Sequence, residues 1–496
     1  MQYKFSSDDI KKLNVETVVC FTTTFNKIGK HLKEIDTATG RGVTALLASG
    51  EFSGKAGEVA SFTNPTGYKA IRLLLAGLGD EKDLAPDSFR KAMGTLSRNN
   101  GLCLAKSAAV HCCAATHVLS YAALVEGYIL GSFKHLDYKT GEAKKDKSRL
   151  AGMTFAVDKQ SDLPILKKGI QRGRIIAEGQ IITRRLAATP AADLTPRLYA
   201  RKVQQLGRKH GFKVKVLDKK TIVKEKMGCF LSVAAGSEEP PTFIIMEHRG
   251  GKTGAKPVVL VGKGVTFDSG GISLKPGLNM HEMKQDMAGS AAVVGAMCNA
   301  ARLKLKLNVV ALIPATENMQ SGHATRPGDI IKSRKGKTVE IINTDAEGRL
   351  ILADALDYAN KFKPQAVIDI ATLTGASLYI LGYAGAPIMG NDDELLNRIN
   401  DAADSTAERV WPLPIWDDMR EQMKSPIADL VNSGGRPAGT IAAGAFLEYF
   451  IGDWPWAHID IAYVDAEPKG RPYLPKGATG FGARLLTEVL ANWKKL

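Results

Sequence analysis

The chain has 496 residues, 44% of them hydrophobic and 24% charged, a balance that excludes wholesale disorder and implies two or three domains with sizeable cores. Its formal net charge of +16 is uneven. Residues 1–150 carry 21 basic and 15 acidic groups and residues 151–250 carry 19 and 9, while residues 251–496 balance at 27 each. No apolar run is long enough to span a bilayer and MQYKFSSDDIKKLN lacks a signal-like apolar region, so the expectation is a cytoplasmic protein with no membrane partner.

Residues 1–150 read as a small α/β unit. VETVVCFTTTF (15–25) and AIRLLLAGLG (70–79) have the apolar runs of buried strands. A helix is expected from about Ser88 through the Ala-rich stretch beyond Gly101. The lysine-rich segment KHLDYKTGEAKKDKSRL (134–150) interrupts strand-like sequence on both sides and reads as a protruding loop. TFAVD (154–158) reads as a further strand. Residues 163–187 are periodic and basic, as in a long amphipathic helix, and ATPAADLTP (188–196) breaks it. This divides the chain into an N-terminal domain (1–160), a connecting helix (161–190) and a larger domain (191–496).

Beyond the junction, strands are expected at KVKVLD (213–218), TFIIMEH (242–248), KPVVLVG (256–262), LNVVALIPA (307–315), AVIDIATL (366–373) and WAHIDIA (456–462). Helical patterns such as GRLILADALDYANKF (348–362) lie between many of them. Such alternation implies an α/β fold with a mainly parallel sheet covered on both faces.

The six cysteines form no CxxC pair and read as reduced thiols. His111, Cys112, Cys113 and His117 resemble a metal cluster, but they have no second ligand pair and sit in the Ala-rich stretch expected to be helical, so no zinc site is expected there.

Three segments bear chemistry. VGKGVTFDSGGISLKP (261–276) follows an apolar strand, and its glycines permit tight turns beside Lys263 and Asp268. Ligands of open α/β sheets sit beyond the carboxyl ends of strands. MKQDMAGSAAVVGA (283–296) sets Asp286 before a small-residue helix, and IINTDAEGRLILADAL (341–356) supplies Asp345, Glu347 and Arg349 at a strand–turn–helix. Each carboxylate alone would read as a helix cap or surface charge. Together they suggest a shared site whose four negative charges two divalent ions would neutralise, roughly 3.5–4 Å apart.

With these segments in hand, the sequence is identified as a member of the leucine aminopeptidase (cytosol aminopeptidase) family of two-metal metallopeptidases. NTDAEGRL (343–350) matches the family motif letter for letter, and its spacing from GKGVTFDSGG and Asp286 agrees. KSPIADLVNSGGRPAGTIAAGAFL (424–447) and KGATGFGARLL (476–486) resemble the family's C-terminal blocks. The resemblance is strong over about 190–490 and weaker over the first 160 residues. It implies a small macro-like N-terminal α/β domain and a larger phosphorylase/hydrolase-like α/β catalytic domain. It also implies a hexamer of two stacked trimers and release of N-terminal residues, leucine by preference, from peptides by a metal-bound hydroxide.

Carried over by resemblance, Lys263, Asp268, Asp286, Asp345 and Glu347 are the ligands of two divalent ions, zinc or manganese, with magnesium or cobalt as alternatives. Asp268 and Glu347 bridge them, Lys263 and Asp286 complete the tighter site, and Asp345 serves the exchangeable one. A ligating lysine must be neutral, so the cations are expected to depress the pKa of Lys263. Lys275 resembles the lysine that steadies the oxyanion. Arg349 resembles the arginine holding bicarbonate as general base. The pocket for the first side chain maps to Met283, Thr372, Gly375 and Ala462.

The sequence departs from the family at Ala188 and Ala192, in DMAGSAAV, and at Tyr463-Val464-Asp465, which borders that pocket. An Asp465 turned inward would suit a polar or basic first residue. Buried unpaired acids are rare, so the expectation is that Asp465 faces solvent or pairs with Lys469 or Arg471. Some bacterial relatives also bind DNA, and the basic excess of residues 151–250 marks a candidate nucleic-acid surface, with solvated charge as the alternative. A two-metal phosphoesterase usually recruits histidines, and His281 is the only one near the three segments. A catalytically dead relative is disfavoured because all the expected site residues are present.

Overall fold

The computed structural model describes residues 1–112, 114–145 and 148–494. Contacts divide the chain into two units: Met1–Glu178 with Lys469–Pro475, and Gly179–Pro468 with Lys476–Leu496. The helix Leu163–Ala188 runs from one unit into the next.

In the first unit, β1 (Gln2–Ser6), β2 (Thr17–Thr22), β3 (Val59–Thr63), β4 (Arg72–Gly77), β5 (Ser107–His111) and β6 (Gly152–Ala156) form a sheet in the order β1-β6-β5-β2-β4-β3. Its pairs are parallel except for the antiparallel edge strand β3. Alternate residues of β2 feed two cores, as a sheet covered on both faces requires. Val19 and Phe21 pack in one with Phe89 and Leu124, and Val18 and Cys20 in the other with Leu32 and Phe52.

Three local expectations fail in this unit. The helix expected past Gly101 divides into Pro86–Leu96 and Asn100–Cys103, and the Ala-rich stretch that follows is strand β5. Alanine tolerates either state, so context decides. Ala108, Ala109 and Val110 are buried between β2 and β6, which offer ladder partners on both sides. His111, Cys112 and His117 therefore flank a strand end rather than line a helix. His111 Nε2 lies 2.7 Å from Asp158 and His117 caps the helix Val118–Ser132, while Cys113 lies outside the described residues. The lysine-rich segment 134–150 follows that helix, not a strand, and residues 146 and 147 of it lie outside the described residues.

A buried ion cluster anchors the late segment of this unit. Arg90 reaches Glu126 at 2.9 Å and Asp87 at 2.8 Å, and Tyr473 donates its hydroxyl to Asp87 at 2.8 Å. The guanidinium lies 5.7 Å from the centre of the Tyr473 ring. Arg98 donates to the Arg471 carbonyl at 3.1 Å.

The second unit holds β7 (Lys213–Leu217), β8 (Thr242–Arg249), β9 (Val258–Gly262), β10 (Gly264–Asp268), β11 (Asn308–Asn318), β12 (Ile330–Lys332), β13 (Thr338–Glu340), β14 (Ala366–Ala371), β15 (Ala386–Gly390), β16 (Val410–Pro412), β17 (Leu430–Val431) and β18 (Trp456–Asp460). Nine form one mixed sheet in the order β16-β15-β18-β14-β9-β11-β8-β7, with β10 beside β11. Its middle, β18-β14-β9-β11, is parallel, and β15, β8 and β7 bring the antiparallel pairs. Val258 and Leu260 face one core, Val259 and Val261 the other. The helices Pro196–His210, Ala288–Arg302 and Ala483–Ala491 cover the first face, and Gly348–Ala359 and Gly439–Glu448 the second. Strands β10, β15 and β16, absent from the sequence expectation, are short. A further two-residue ladder pairs Ala466–Glu467 with Gly477–Ala478.

Candidate active site

The parallel strands β9 and β14 end together, and the residues after them build one cavity. Gly262 closes β9, and a Cβ there would stand 2.4 Å from Ser290 Cα. That close approach lets the start of the helix Ala288–Arg302 dock on the strand ends, with Ser290 N donating to the Lys263 carbonyl at 3.0 Å. Asp286, two residues before the helix, is thereby held against Lys263. The start of the helix Gly348–Ala359 approaches from the other side. A Cβ at Gly348 would lie 2.6 Å from Lys263 Cε, so a larger residue there would displace the lysine chain.

Six charged groups converge here. Lys263 Nζ lies 2.8 Å from Asp286 and 2.8 Å from Glu347. Lys275 Nζ lies 2.8 Å from Asp268 and 2.6 Å from Asp345. Asp268, Asp286 and Glu347 each offer an oxygen within 4.8 Å of the others. All six line a cavity of about 420 Å³, together with Met283, Thr372, Gly375 and Ala462. Arg349 is not on that wall. It is buried behind it, donates to the Asn432 carbonyl at 2.9 Å, and leaves its Nε without a hydrogen bond.

The electrostatics are those of an underneutralised acidic site. Burial pushes Asp286 well above the carboxylate range, with Glu347 and Asp268 adding to the rise against Lys263. Burial likewise raises Asp345 to about 6. For Lys263 and Lys275, burial alone would favour the neutral amine, but the surrounding carboxylates outweigh it and hold both pKa values above the ordinary lysine range. Burial lowers Arg349 to about 10. Four carboxylates against two ammonium groups leave negative charge uncompensated in a buried place.

The donor set fits divalent cations. Asp286 Oδ2 is buried and accepts no hydrogen bond. Glu347 Oε1 and Asp345 Oδ1 also accept none of good geometry, although a lysine ammonium lies close to each. Orphaned, mutually repelling oxygens are costly unless a cation gathers them. Oxygen donors with a single amine suit zinc, manganese, magnesium or cobalt.

Three supporting residues, Asn318, Asn432 and Asp460, were not visible as such in the sequence. Asn318, at the end of β11, donates to Asp268 at 2.8 Å and to the Thr344 carbonyl at 3.1 Å. Asn432 accepts from Ile342 N at 2.8 Å and donates to the Asn343 carbonyl at 2.6 Å, pinning the turn before Asp345. Asp460, fully buried, accepts from Leu373 N at 3.0 Å, from the Thr374 hydroxyl at 2.6 Å and from Ala462 N at 3.2 Å. Thr372 donates to Asp286 at 2.7 Å and accepts from Lys263 at 2.8 Å.

Asp465 corrects an expectation. It neither faces away from the cavity nor pairs with Lys469 or Arg471. It lines the cavity, partly buried, and those two residues fold with the first unit. The reason is local: Val464 N and Asp465 N both donate to the Ile461 carbonyl, at 3.2 and 3.0 Å, in a tight turn that directs the chain across the cavity wall.

An α/β sheet with acidic side chains and lysines gathered beyond its parallel strand ends fits a metallohydrolase. Residues 181–487 match the catalytic domain of the cytosol aminopeptidase family and residues 18–142 match its N-terminal domain. The chain belongs to the cytosol aminopeptidase family of metallo-exopeptidases. It is 44% identical over 483 residues to a Geotalea uraniireducens protein named probable cytosol aminopeptidase, covering 97% of each. It is 42% identical over 501 residues to the cytosol aminopeptidase of Pseudomonas aeruginosa, covering 100% of each. Among solved structures it resembles the bottromycin maturation enzyme BotP, with a TM-score of 0.82 at 32% identity over 96% of this chain and 98% of that one. The same enzyme in complex with Mn gives a TM-score of 0.83 at 32% identity, over 96% of this chain and 99% of that one. Among the described residues, no helix is long and apolar enough to cross a membrane.

Proposed function

We propose that this metal-dependent aminopeptidase releases N-terminal residues, leucine-type ones among them, at the cavity between Lys263, Asp268, Asp286, Asp345 and Glu347. The observation that carries the reading is the convergence of four carboxylates and two lysines on one cavity. Those five residues would hold two divalent cations, zinc or manganese. Bound there, the cations supply Lewis acidity toward a carbonyl oxygen and lower the pKa of water. Lys275 donates to the carbonyl oxygen as it gains negative charge. Met283, Thr372, Gly375 and Ala462 receive the first side chain. Arg349, buried behind the cavity wall with an unused Nε, would hold an anion such as bicarbonate, which would supply a general base.

The finer organisation follows the same reading: an N-terminal domain over 1–160, a connecting helix over 161–190 and a catalytic domain over 191–496, assembled as a cytoplasmic homohexamer acting on peptides. An additional nucleic-acid-binding role rests on the basic excess of residues 151–250. The deciding experiment is hydrolysis of leucine p-nitroanilide after exhaustive chelation and metal add-back. The chelated protein is expected to be inactive and manganese to restore activity. Full activity without metal overturns the reading. An active monomer on gel filtration would remove the hexamer, and no gel shift at low salt would remove the nucleic-acid role.

A further inference from the structure

The cavity carries more acid than cation binding uses. Asp465 lies on its wall, as do Glu282, Tyr463 and Tyr383. The Asp465 backbone is fixed on both sides: its N–H donates to the Ile461 carbonyl at 3.0 Å, and its carbonyl accepts from Thr479 N at 2.8 Å. Thr479 also donates its hydroxyl to the Val464 carbonyl at 2.6 Å. Tyr463, just before, takes the left-handed conformation with φ of 72°, strained for a side chain of its size. Its hydroxyl lies beside Gly375, where an added Cβ would meet it at 3.7 Å, and its ring meets Tyr383 edge-on with centroids 6.0 Å apart. The backbone that carries Asp465 is thus set before any substrate arrives.

Among the described residues, no cation pairs with this carboxylate. Lys275 and Lys476 share the cavity wall, yet Lys275 is engaged by Asp268 and Asp345, and among the described residues Asp465 forms no ion pair. The charged side chains that bear on it most, Asp460 and Glu282, are acidic. Burial pushes its carboxyl up to about 7, and those two acids add to the rise against the amides of Asp465 and Tyr463.

We infer that Asp465 selects peptides whose first side chain is long and cationic, arginine or lysine. The inference rests on the aminopeptidase reading of this cavity and names its substrate class. A leucine beside Asp465 would remove water from the carboxyl and return nothing. A guanidinium would return two charge-assisted hydrogen bonds, and the Tyr463 and Tyr383 rings would flank its stem. A site built around a buried polar group discriminates strongly against a ligand that leaves the group unpaired.

The test compares kcat/KM for arginyl, citrullyl and leucyl p-nitroanilides with the manganese-loaded full chain. Citrulline keeps the shape of arginine and removes its charge. The wild type is expected to favour arginyl over citrullyl by at least about tenfold, a ratio that needs no variant to read. Asp465→Asn, nearly isosteric, and Asp465→Ala should each reduce that ratio by about tenfold. Arginyl and citrullyl substrates cleaved equally by the wild type, or a ratio unchanged in Asp465→Asn, overturn the inference and leave the aminopeptidase reading intact if leucyl substrate is cleaved. Failure to cleave any of the three removes both.

Discussion

His458 on β18 and Asp369 on the adjacent β14 share a hydrogen bond of 2.5 Å with both side chains fully buried. Trp456 fixes the other carboxylate oxygen of Asp369 at 2.7 Å. Burial alone would lower the His458 pKa, but Asp369 outweighs it and raises the value above the ordinary histidine range. A group whose folded pKa is raised stabilises fully below its unfolded pKa, about 6.5 for histidine, and that contribution is lost as pH rises through the folded value. Melting temperature is therefore expected to fall as pH is raised above the unfolded histidine pKa of about 6.5. Asp369→Asn should lower it at the acidic end and flatten the slope. An Asp369→Asn protein with the wild-type slope would show that this pair is not its source.

Metal should be visible without any assay of turnover. Because Asp286 Oδ2 accepts no hydrogen bond and four carboxylates face only two lysines, the chelated protein should melt earlier and recover with manganese or zinc. At a hundred times the dissociation constant the gain is about 2.7 kcal/mol. A melting temperature indifferent to both ions would contradict the assignment of these oxygens.

Lys275 and the acids beside it should separate cleanly. Lys275→Ala is expected to keep both metals and lose ~10²–10³ in turnover, the usual effect of removing one oxyanion donor. Asp345→Ala and Glu347→Ala should instead lose bound metal, as read by elemental analysis. Wild-type turnover in Lys275→Ala would require a different oxyanion donor.

Gly262→Ala tests the docking of helix on strand. The added Cβ would stand 2.4 Å from Ser290 Cα, a backbone atom that cannot swing aside. Destabilisation of about 1–3 kcal/mol is expected, read by denaturant unfolding, with metal affinity weakened as Asp286 shifts. A fully stable variant with unchanged metal affinity would show that the interlock is looser than it looks.

Residues whose surroundings are local are legible in the sequence, and those held by distant contacts are not. Lys263, Asp268, Asp286, Asp345 and Glu347 each sit beside a strand end or helix start that apolar runs and glycines announce, and they meet in one cavity. Asn432 and Asp460 act by hydrogen bonds to residues more than eighty positions away, and nothing in their neighbours betrays it. Strand β5 was misread because its alanines carry little preference and the flanking strands decide. Strand β16, of three residues, is too short for a pattern to form, and β10 is separated from the end of β9 by one residue, inside the glycine-rich segment that reads as a turn. At Asp465 a general rule about unpaired acids pointed away from the cavity, and the Ile461 turn overrode it.

The ladder joining Ala466–Glu467 to Gly477–Ala478 pinches off a loop whose tip, Lys469–Pro475, folds with the first unit through Asp87, Arg90 and Tyr473. Glu467, Pro468, Lys476 and Gly477, which flank that tip in the chain, line the cavity. The chain thus leaves the cavity wall at Pro468, closes seven residues into the first unit, and returns at Lys476, so a cut anywhere in Lys469–Pro475 would sever one continuous stretch without removing a cavity residue.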